Sequence, residues 1–208
     1  FYIREYAGVD PETGMALYNS YYNVKADGSK DLITDMVTYQ QNNKIERLEV
    51  EKTSDYNNAT KKYVGKSGIP TLQGGFGFDL AVKGFELNTT FSYSLGGYAY
   101  DGVYATLMSN NTPGSGNWHN DIENRWQKPG DVTDVPRFVL GQAAGPQNSS
   151  RYVHSTDHLR VKNLTLGFTL PDQWLTKLGV SKARLYFSGS NLLTWAKWDQ
   201  YDPEAPVS

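Results

Sequence analysis

The groups in this 208-residue chain that could do chemistry are three histidines and a few glycine-rich tripeptides. His119 stands in Trp118-His-Asn-Asp121, followed by Arg125-Trp126, and an imidazole beside a carboxylate invites general acid–base or triad chemistry. Neither a G-x-S-x-G elbow nor a placeable carboxylate pair accompanies it, so the nucleophile and glycosidase arrangements both lack their parts. Folding of a loop through Trp burial is the plainer role. The functional one is ligand or partner contact through Trp118, His119, Arg125 and Trp126, since Trp and Arg anchor interfaces. His154 and His158 have the i, i+4 spacing at which a helix presents two metal ligands. Their neighbours Asn148-Ser-Ser-Arg-Tyr152 and a strand-like run over 159–170 predict a loop instead, so no metal site is expected. Gly65-Lys66-Ser67 matches the end of a phosphate-binding loop, but Thr60 stands where that motif needs glycine. Gly75-Phe-Gly-Phe78 matches part of an RNA-binding strand, but Gly74 replaces its basic residue and Asp79 its aliphatic one. The expectation is a protein that is not an enzyme and uses no cofactor.

The composition excludes further classes. Lys+Arg 20 against Asp+Glu 22 leaves a net charge of -2, and no field of that sign gathers nucleic acid. There is no cysteine, hence no disulfide and no thiolate chemistry. Hydrophobic residues are 38% of the chain, the mean hydropathy is -0.57, and no run of about 18 apolar residues occurs, which excludes an α-helical span. A membrane β-barrel remains open, because alternating strands average out in any hydropathy window. The 15 Tyr, 8 Phe, 5 Trp and 20 Gly residues, with abundant Asn, Ser and Thr, favour strands and turns over helices. Sequons at Asn58, Asn88, Asn110, Asn148 and Asn163 reflect that richness, and Asn88 and Asn163 fall in expected strands.

Elements that would position these residues are clearest between Gly74 and Leu95. Phe76, Phe78, Leu80 and Val82 alternate with Gly75, Gly77, Asp79 and Ala81; after Lys83-Gly84, the series Phe85, Leu87, Thr89, Phe91, Tyr93 and Leu95 alternates with Glu86, Asn88, Thr90, Ser92 and Ser94. A two-residue hairpin loop pairs Val82 with Phe85, as both apolar stripes require. A third alternation runs through Leu164, Leu166, Phe168 and Leu170 up to Pro171. A short helical connector over 172–179 groups Trp174, Leu175 and Leu178, and a fourth strand from near Lys182 to Trp195 carries Leu185 and Phe187 on one face.

Long polar links, 42–71 and 96–157, alternate with the short ones at 83–84 and 171–182. Tight turns on one side and long loops on the other are the topology of an outer-membrane barrel. The strand expected over 85–95, at about 3.3 Å per residue and tilted ~40°, rises roughly 28 Å against an apolar band of ~25 Å. The fold expected is therefore all-β, an antiparallel transmembrane β-barrel segment with long extracellular loops. Phe76, Phe78, Leu80, Val82, Phe85, Leu87, Phe91 and Tyr93 would face lipid. Gly75, Gly77, Asp79, Asn88, Thr90 and Ser92 would face the lumen. Trp174 would sit in the periplasmic girdle and Trp195 or Trp198 in the outer one. A soluble secreted β-rich carbohydrate-binding module also accounts for the aromatics, but not for two-sided strands or for alternating link lengths.

Several segments together resemble one family. Phe1-Tyr-Ile-Arg-Glu-Tyr-Ala-Gly-Val-Asp-Pro-Glu-Thr-Gly14 and Tyr63-Val-Gly-Lys-Ser-Gly-Ile-Pro70, leading into Gly74-Gly-Phe-Gly77, are similar to the SusC/RagA-like TonB-linked outer-membrane transporters. So are Trp126, Asp134-Val-Pro-Arg137, Leu159-Arg-Val-Lys-Asn-Leu-Thr-Leu-Gly-Phe-Thr-Leu-Pro171, Leu185-Tyr-Phe-Ser-Gly-Ser-Asn-Leu-Leu-Thr-Trp195 and Tyr201-Asp-Pro-Glu204. The resemblance implies part of a 22-stranded barrel closed by a plug, importing glycans or peptides with a SusD-like surface lipoprotein and powered by the TonB complex. The family's plug domain, TonB box, signal peptide and terminal strand ending in an aromatic are expected to lie outside residues 1–208. Residues 1–208 are accordingly expected to be a C-terminal portion of the barrel of about six to eight strands, with TonB acting through the missing N-terminal region. The expected location is the bacterial outer membrane.

Overall fold

The computed structural model describes residues 1–109, 117–138, 148–176, 179–200 and 202–204. In chain order the strands are β1 (Tyr2–Arg4), β2 (Tyr6–Val9), β3 (Ala16–Val24), β4 (Lys30–Ile33), β5 (Leu48–Thr53), β6 (Lys61–Tyr63), β7 (Leu72–Val82), β8 (Phe85–Leu95), β9 (Tyr98–Tyr100), β10 (Val153–Ser155), β11 (His158–Thr169) and β12 (Arg184–Ala196). The helices are α1 (Met36–Asn42), α2 (Gly102–Leu107) and α3 (Asp172–Leu175). The chain forms two compact units: Phe1–Lys66 with Tyr100–His154, and Ser67–Ala99 with Ser155–Ser208.

The second unit is one antiparallel sheet in the order β12-β11-β8-β7. The expected hairpin is present, with Val82 opposite Phe85 and Leu80 opposite Leu87. Lys83 (φ 48°) and Gly84 (φ 87°) both have positive φ, as a two-residue type I′ turn between right-twisted strands requires. Asn88 and Asn163 both lie within strands. Among the described residues four strands are long, 11 to 13 residues, fewer than the six to eight expected to cross.

One irregularity makes the sheet two-sided throughout. The third alternation extends back to His158, but Leu159 and Val161 have the opposite parity to Leu164 and Leu166. A bulge between Val161 and Asn163 absorbs Lys162, so that Val161 pairs with Phe91 and Asn163 with Thr90. Opposite it, β12 accommodates the same break between Ser190 and Leu193, with Asn191 at φ 53°. The parity error is thereby cancelled, and the apolar residues before and after it share one face.

The connector beyond Pro171 is a single helical turn, Asp172–Leu175. Leu175 is buried there, whereas Trp174 is exposed, so the two do not share a side as expected. A residue and its immediate successor are about 100° apart around a helix, which separates them. Leu178 lies outside the described residues, as do Asn110 and Tyr201.

In the first unit β3 is central, with β2 and β4 pairing along it and β5 pairing with it as well, while β1 pairs with β6. The links expected to be plain polar loops therefore carry structure: 42–71 contains β5 and β6, and 96–157 contains β9, α2, two 3-10 turns and β10. Neither carries a long alternating stripe, because each short strand buries few side chains. The unit is held instead by small and polar groups. Asn23 is buried, accepting from the Glu46 N–H and donating to the Tyr39 hydroxyl and the Lys44 carbonyl. Buried Thr60 accepts from the Tyr21 N–H and donates to the Ile33 carbonyl. A small apolar cluster of Ala105, Met108 and Tyr152 is flanked by Tyr100, Tyr104, Ile122 and Val135. His154 and His158 both lie on strands and not in a loop, because the chain pairs as β10 and β11 on either side of Thr156-Asp157.

Candidate functional site

The strand registers set each side chain of the four-stranded sheet on one of two faces. Across the sheet, Phe76, Phe91, Val161 and Leu193 form one row; Leu80, Leu87, Leu166 and Phe187 form another; Val82, Phe85, Phe168 and Leu185 form a third. All lie on the same face, together with Phe78 and Tyr93. Rings pack along it, with Phe76 on Phe91 at 4.9 Å and Phe85 on Phe168 at 4.3 Å. Thr89, buried on this face, donates its hydroxyl to the Asn163 carbonyl at 3.1 Å, so its own donor is satisfied.

This face is uncovered. Phe76, Phe78, Leu80, Val82, Phe85, Leu185, Phe187, Leu193 and Trp195 are each at least half exposed. At roughly 100 Å² apiece they make an apolar surface near 900 Å², above the ~300–600 Å² of the largest patch on a typical soluble monomer.

The opposite face is small or polar, carrying Gly75, Gly77, Asp79, Asn88, Thr90 and Ser92 as expected, together with Glu86, Arg160, Thr165, Arg184 and Ser188. Two charged assemblies organise it. Arg184 on β12 reaches across β11 to an ion pair with Glu86 on β8. It can do so because residue 167, between them, is glycine: a Cβ there would lie 2.9 Å from the guanidinium. Asn88 donates to Asp79 on the neighbouring strand.

The other assembly is a fold-back of the chain beyond β12. Asp202 accepts from Arg160 at 2.5 Å, and Glu204 accepts from Arg160 at 2.8 Å, Lys162 at 2.6 Å and Ser92 at 3.2 Å. His158 Nε2 lies 3.5 Å from Glu204. The hydrogen bond from Arg160 is the main cause holding the Asp202 carboxyl below its ordinary range. Burial pushes Glu204 up, but Lys162 and Arg160 outweigh it and hold it low. Arg160 and Lys162, two residues apart on β11, thus reach the same carboxylate. The sequence carried this in the charge pattern of 158–162 and the acids of 202–204, but at a separation of some forty residues nothing marked them as partners.

The loop residues singled out from sequence are all in the first unit. Trp126 lies on the β2–β3 turn, donating from Nε1 to the Pro11 carbonyl at 2.9 Å. Its ring covers Gly14 (φ 69°) so closely that a Cβ there would fall 2.4 Å from ring carbons. Trp118 packs edge-on against Phe138 at 4.6 Å. His119 caps a 3-10 turn by accepting from the Asp121 N–H, and Tyr104 donates to the Asp121 carboxylate at 2.7 Å. Arg125 is exposed and donates to the Ile122 carbonyl. These four side chains thus work inside their own unit. At the ends of the sheet, Trp174 follows β11 at the end holding the Lys83-Gly84 turn. Trp195 pairs with Leu159 near the other end, and half-buried Trp198 follows it.

A two-sided antiparallel sheet of long strands, apolar and uncovered on one face and polar on the other, defines a segment of β-barrel wall. No protein-family model matches the chain. TonB-dependent receptor P3 of Formosa agariphila is 34% identical over 157 residues, covering 76% of this chain and 15% of that protein. TonB-dependent receptor SusC of Bacteroides thetaiotaomicron is 27% identical over 173 residues, covering 80% of this chain and 16% of that protein. A solved structure of the RagAB peptide transporter superposes over 100% of this chain and 20% of its own, with a TM-score of 0.70 and 30% identity. Its sequence relatives are thus TonB-dependent receptors, SusC among them, its structural neighbours include RagAB, and it spans about a sixth of the length of the curated relatives it matches. These relatives are receptors and transporters, not enzymes.

Proposed function

We propose that this chain is a C-terminal part of the barrel of an outer-membrane, TonB-dependent importer of glycans or peptides that works with a SusD-like surface lipoprotein. The TonB complex would act through an N-terminal region beyond this chain. The apolar face, with Phe76, Phe78, Leu80, Val82, Phe85, Leu87, Phe91 and Tyr93, meets lipid. The face bearing Gly75, Gly77, Asp79, Asn88, Thr90 and Ser92 lines the lumen against a plug. Trp174 anchors at the periplasmic interface, and Trp195 with Trp198 at the outer one. The first unit forms part of the external mouth, where exposed Arg125 remains open to a partner.

The observation that carries this reading is the unbroken apolar face, kept in phase across four strands by the bulge at Lys162. Water would penalise that surface, whereas lipid requires it. The test is the intact mass of the natural polypeptide in separated membranes. With 157 matched residues amounting to 15% of a relative, a species of the order of a hundred kilodaltons is expected in the outer membrane, copurifying with a lipoprotein. A soluble species near 23.3 kDa would overturn it.

A further inference from the structure

Within the first unit, β1, β6 and the segments around Tyr56, Tyr100 and Asn148 enclose a cleft of about 340 Å³. Its walls are tyrosines with fixed rings. The Tyr56 hydroxyl donates to the Asn148 carbonyl at 3.0 Å, and its ring meets Tyr18 edge-on. The Tyr100 hydroxyl donates to Asn148 Oδ1 at 3.0 Å, and its ring meets Tyr152 edge-on. Tyr2 donates to Asp35 at 2.6 Å.

Two cations line the same space. The Arg4 guanidinium lies over the Tyr56 ring at 4.3 Å and donates from Nε to the Ala59 carbonyl, and the Lys61 ammonium lies over the Tyr2 ring at 4.9 Å. Among the described residues no carboxylate forms an ion pair with either. Asp35, the acid that feels Lys61, is itself engaged by the Tyr2 hydroxyl and the Thr38 N–H. Among the described residues the Arg4 Nη atoms, the Lys61 ammonium and the Asn148 amide N–H group therefore have no protein acceptor, and they stand between aromatic faces.

We propose that this cleft binds a carboxylate-bearing ligand, the carboxylate meeting Arg4 and Lys61 while an adjoining flat or C–H-rich face stacks on Tyr56 and Tyr100. The volume is near the lower end of ligand pockets, about 300–1,000 Å³, and suits one sugar ring or one or two amino-acid residues. A planar guanidinium pairs with carboxylate geometry, and tyrosine faces accept C–H groups of a ring or side chain. The carboxylate can come from the C-terminus of a peptide or from an acidic sugar. The inference rests on the importer reading and names the chemistry of the substrate end held at the mouth.

The test uses the full-length protein carrying this chain, purified from outer membranes in detergent. Binding is measured by calorimetry for four probes: a tripeptide, its C-terminal amide, an oligogalacturonide and its methyl ester. The expected result is that one acidic probe binds, that its neutral counterpart does not, and that Arg4→Gln with Lys61→Gln weakens binding about tenfold or more. Arg4→Lys with Lys61→Arg restores most of it, and Lys128→Gln, an exposed lysine outside the cleft, leaves it unchanged. Which acidic probe binds assigns the source of the carboxylate. Should the Gln variant fail to fold, the wild-type protein still decides, because binding of the acidic probe must weaken with salt. Equal binding by acidic and neutral probes, no binding by any, affinity independent of salt, or a folded Gln variant as tight as wild type would each overturn the inference. Outer-membrane fractionation and copurification with a lipoprotein are read on the same preparations. A failure there strikes the importer reading, and a failure confined to the binding comparison strikes the cleft.

Discussion

Adjacent residues of β8 point to opposite faces, so single substitutions distinguish lipid from lumen. Leu87→Arg should cost about 2–4 kcal/mol if the side chain meets mid-bilayer, while Asn88→Arg on the polar face costs far less. Urea titration of the barrel refolded in lipid vesicles reads the difference, and the reverse order would invert the faces. At Gly14 the left-handed backbone and the indole of Trp126 leave no room for a side chain. Gly14→Val should displace Trp126, seen as a shift in its fluorescence and faster proteolysis of 126–137, with the sheet unaffected. Neither the closeness of that contact nor the cleft around Arg4 and Lys61 was legible from sequence, because interleaved tyrosines and cations occur along the whole of 1–66. The loop tryptophans were legible as important. That they serve their own unit needed the positions of Gly14 and Phe138.

Alternation made β7, β8 and most of β11 readable, because a half-buried strand writes its two faces at period two. The same rule hid the bulge until the parity of Leu159 and Val161 was compared with that of Leu164 and Leu166. Deleting Lys162 should therefore leave every flanking side chain on its face and permit assembly, with loss of the ion pair to Glu204. Deleting Thr165 instead reverses one side of β11 and should abolish assembly. Heat-modifiable migration on gels distinguishes the two. The short strands of the first unit left no such record, since three or four residues carry too little alternation to stand out.

The fold-back over Arg160 also responds to pH. Asp202 and Glu204 are held below their ordinary values of 3.8 and 4.5, so the folded state binds fewer protons than the released one. Its stabilisation is complete above those ordinary values and is lost as pH falls through the lower folded ones. A spin label at Asp199→Cys should be immobile near neutral pH and become mobile as pH falls below the ordinary carboxylate range. With Arg160→Gln added it should be mobile at both.

For the molecule as a whole, both tight connections lie at one end of the sheet, and the long chain excursions leave from the other. Protease added outside intact cells should cut within the first unit, for instance in the exposed segment 40–49, and spare 72–95. Cleavage within 72–95 would mean that the sheet is not embedded. Composition alone spoke against helical spans, and among the described residues no helix is long and apolar enough to cross a membrane. The alternation of short and long links is itself the signature of a barrel. The fold of the long excursions was not legible, because their burial relies on scattered polar groups such as Asn23 and Thr60.

The tie between Arg184 and Glu86 passes over a residue that takes no part in it. A side chain at position 167 would push the guanidinium aside, so the tie in its present path suits an acid, a glycine and an arginine on three neighbouring strands. Over evolutionary time those positions should drift as a trio. A lineage that acquires a side chain at 167 is released from keeping the other two, and one that loses either charge is free to fill the gap.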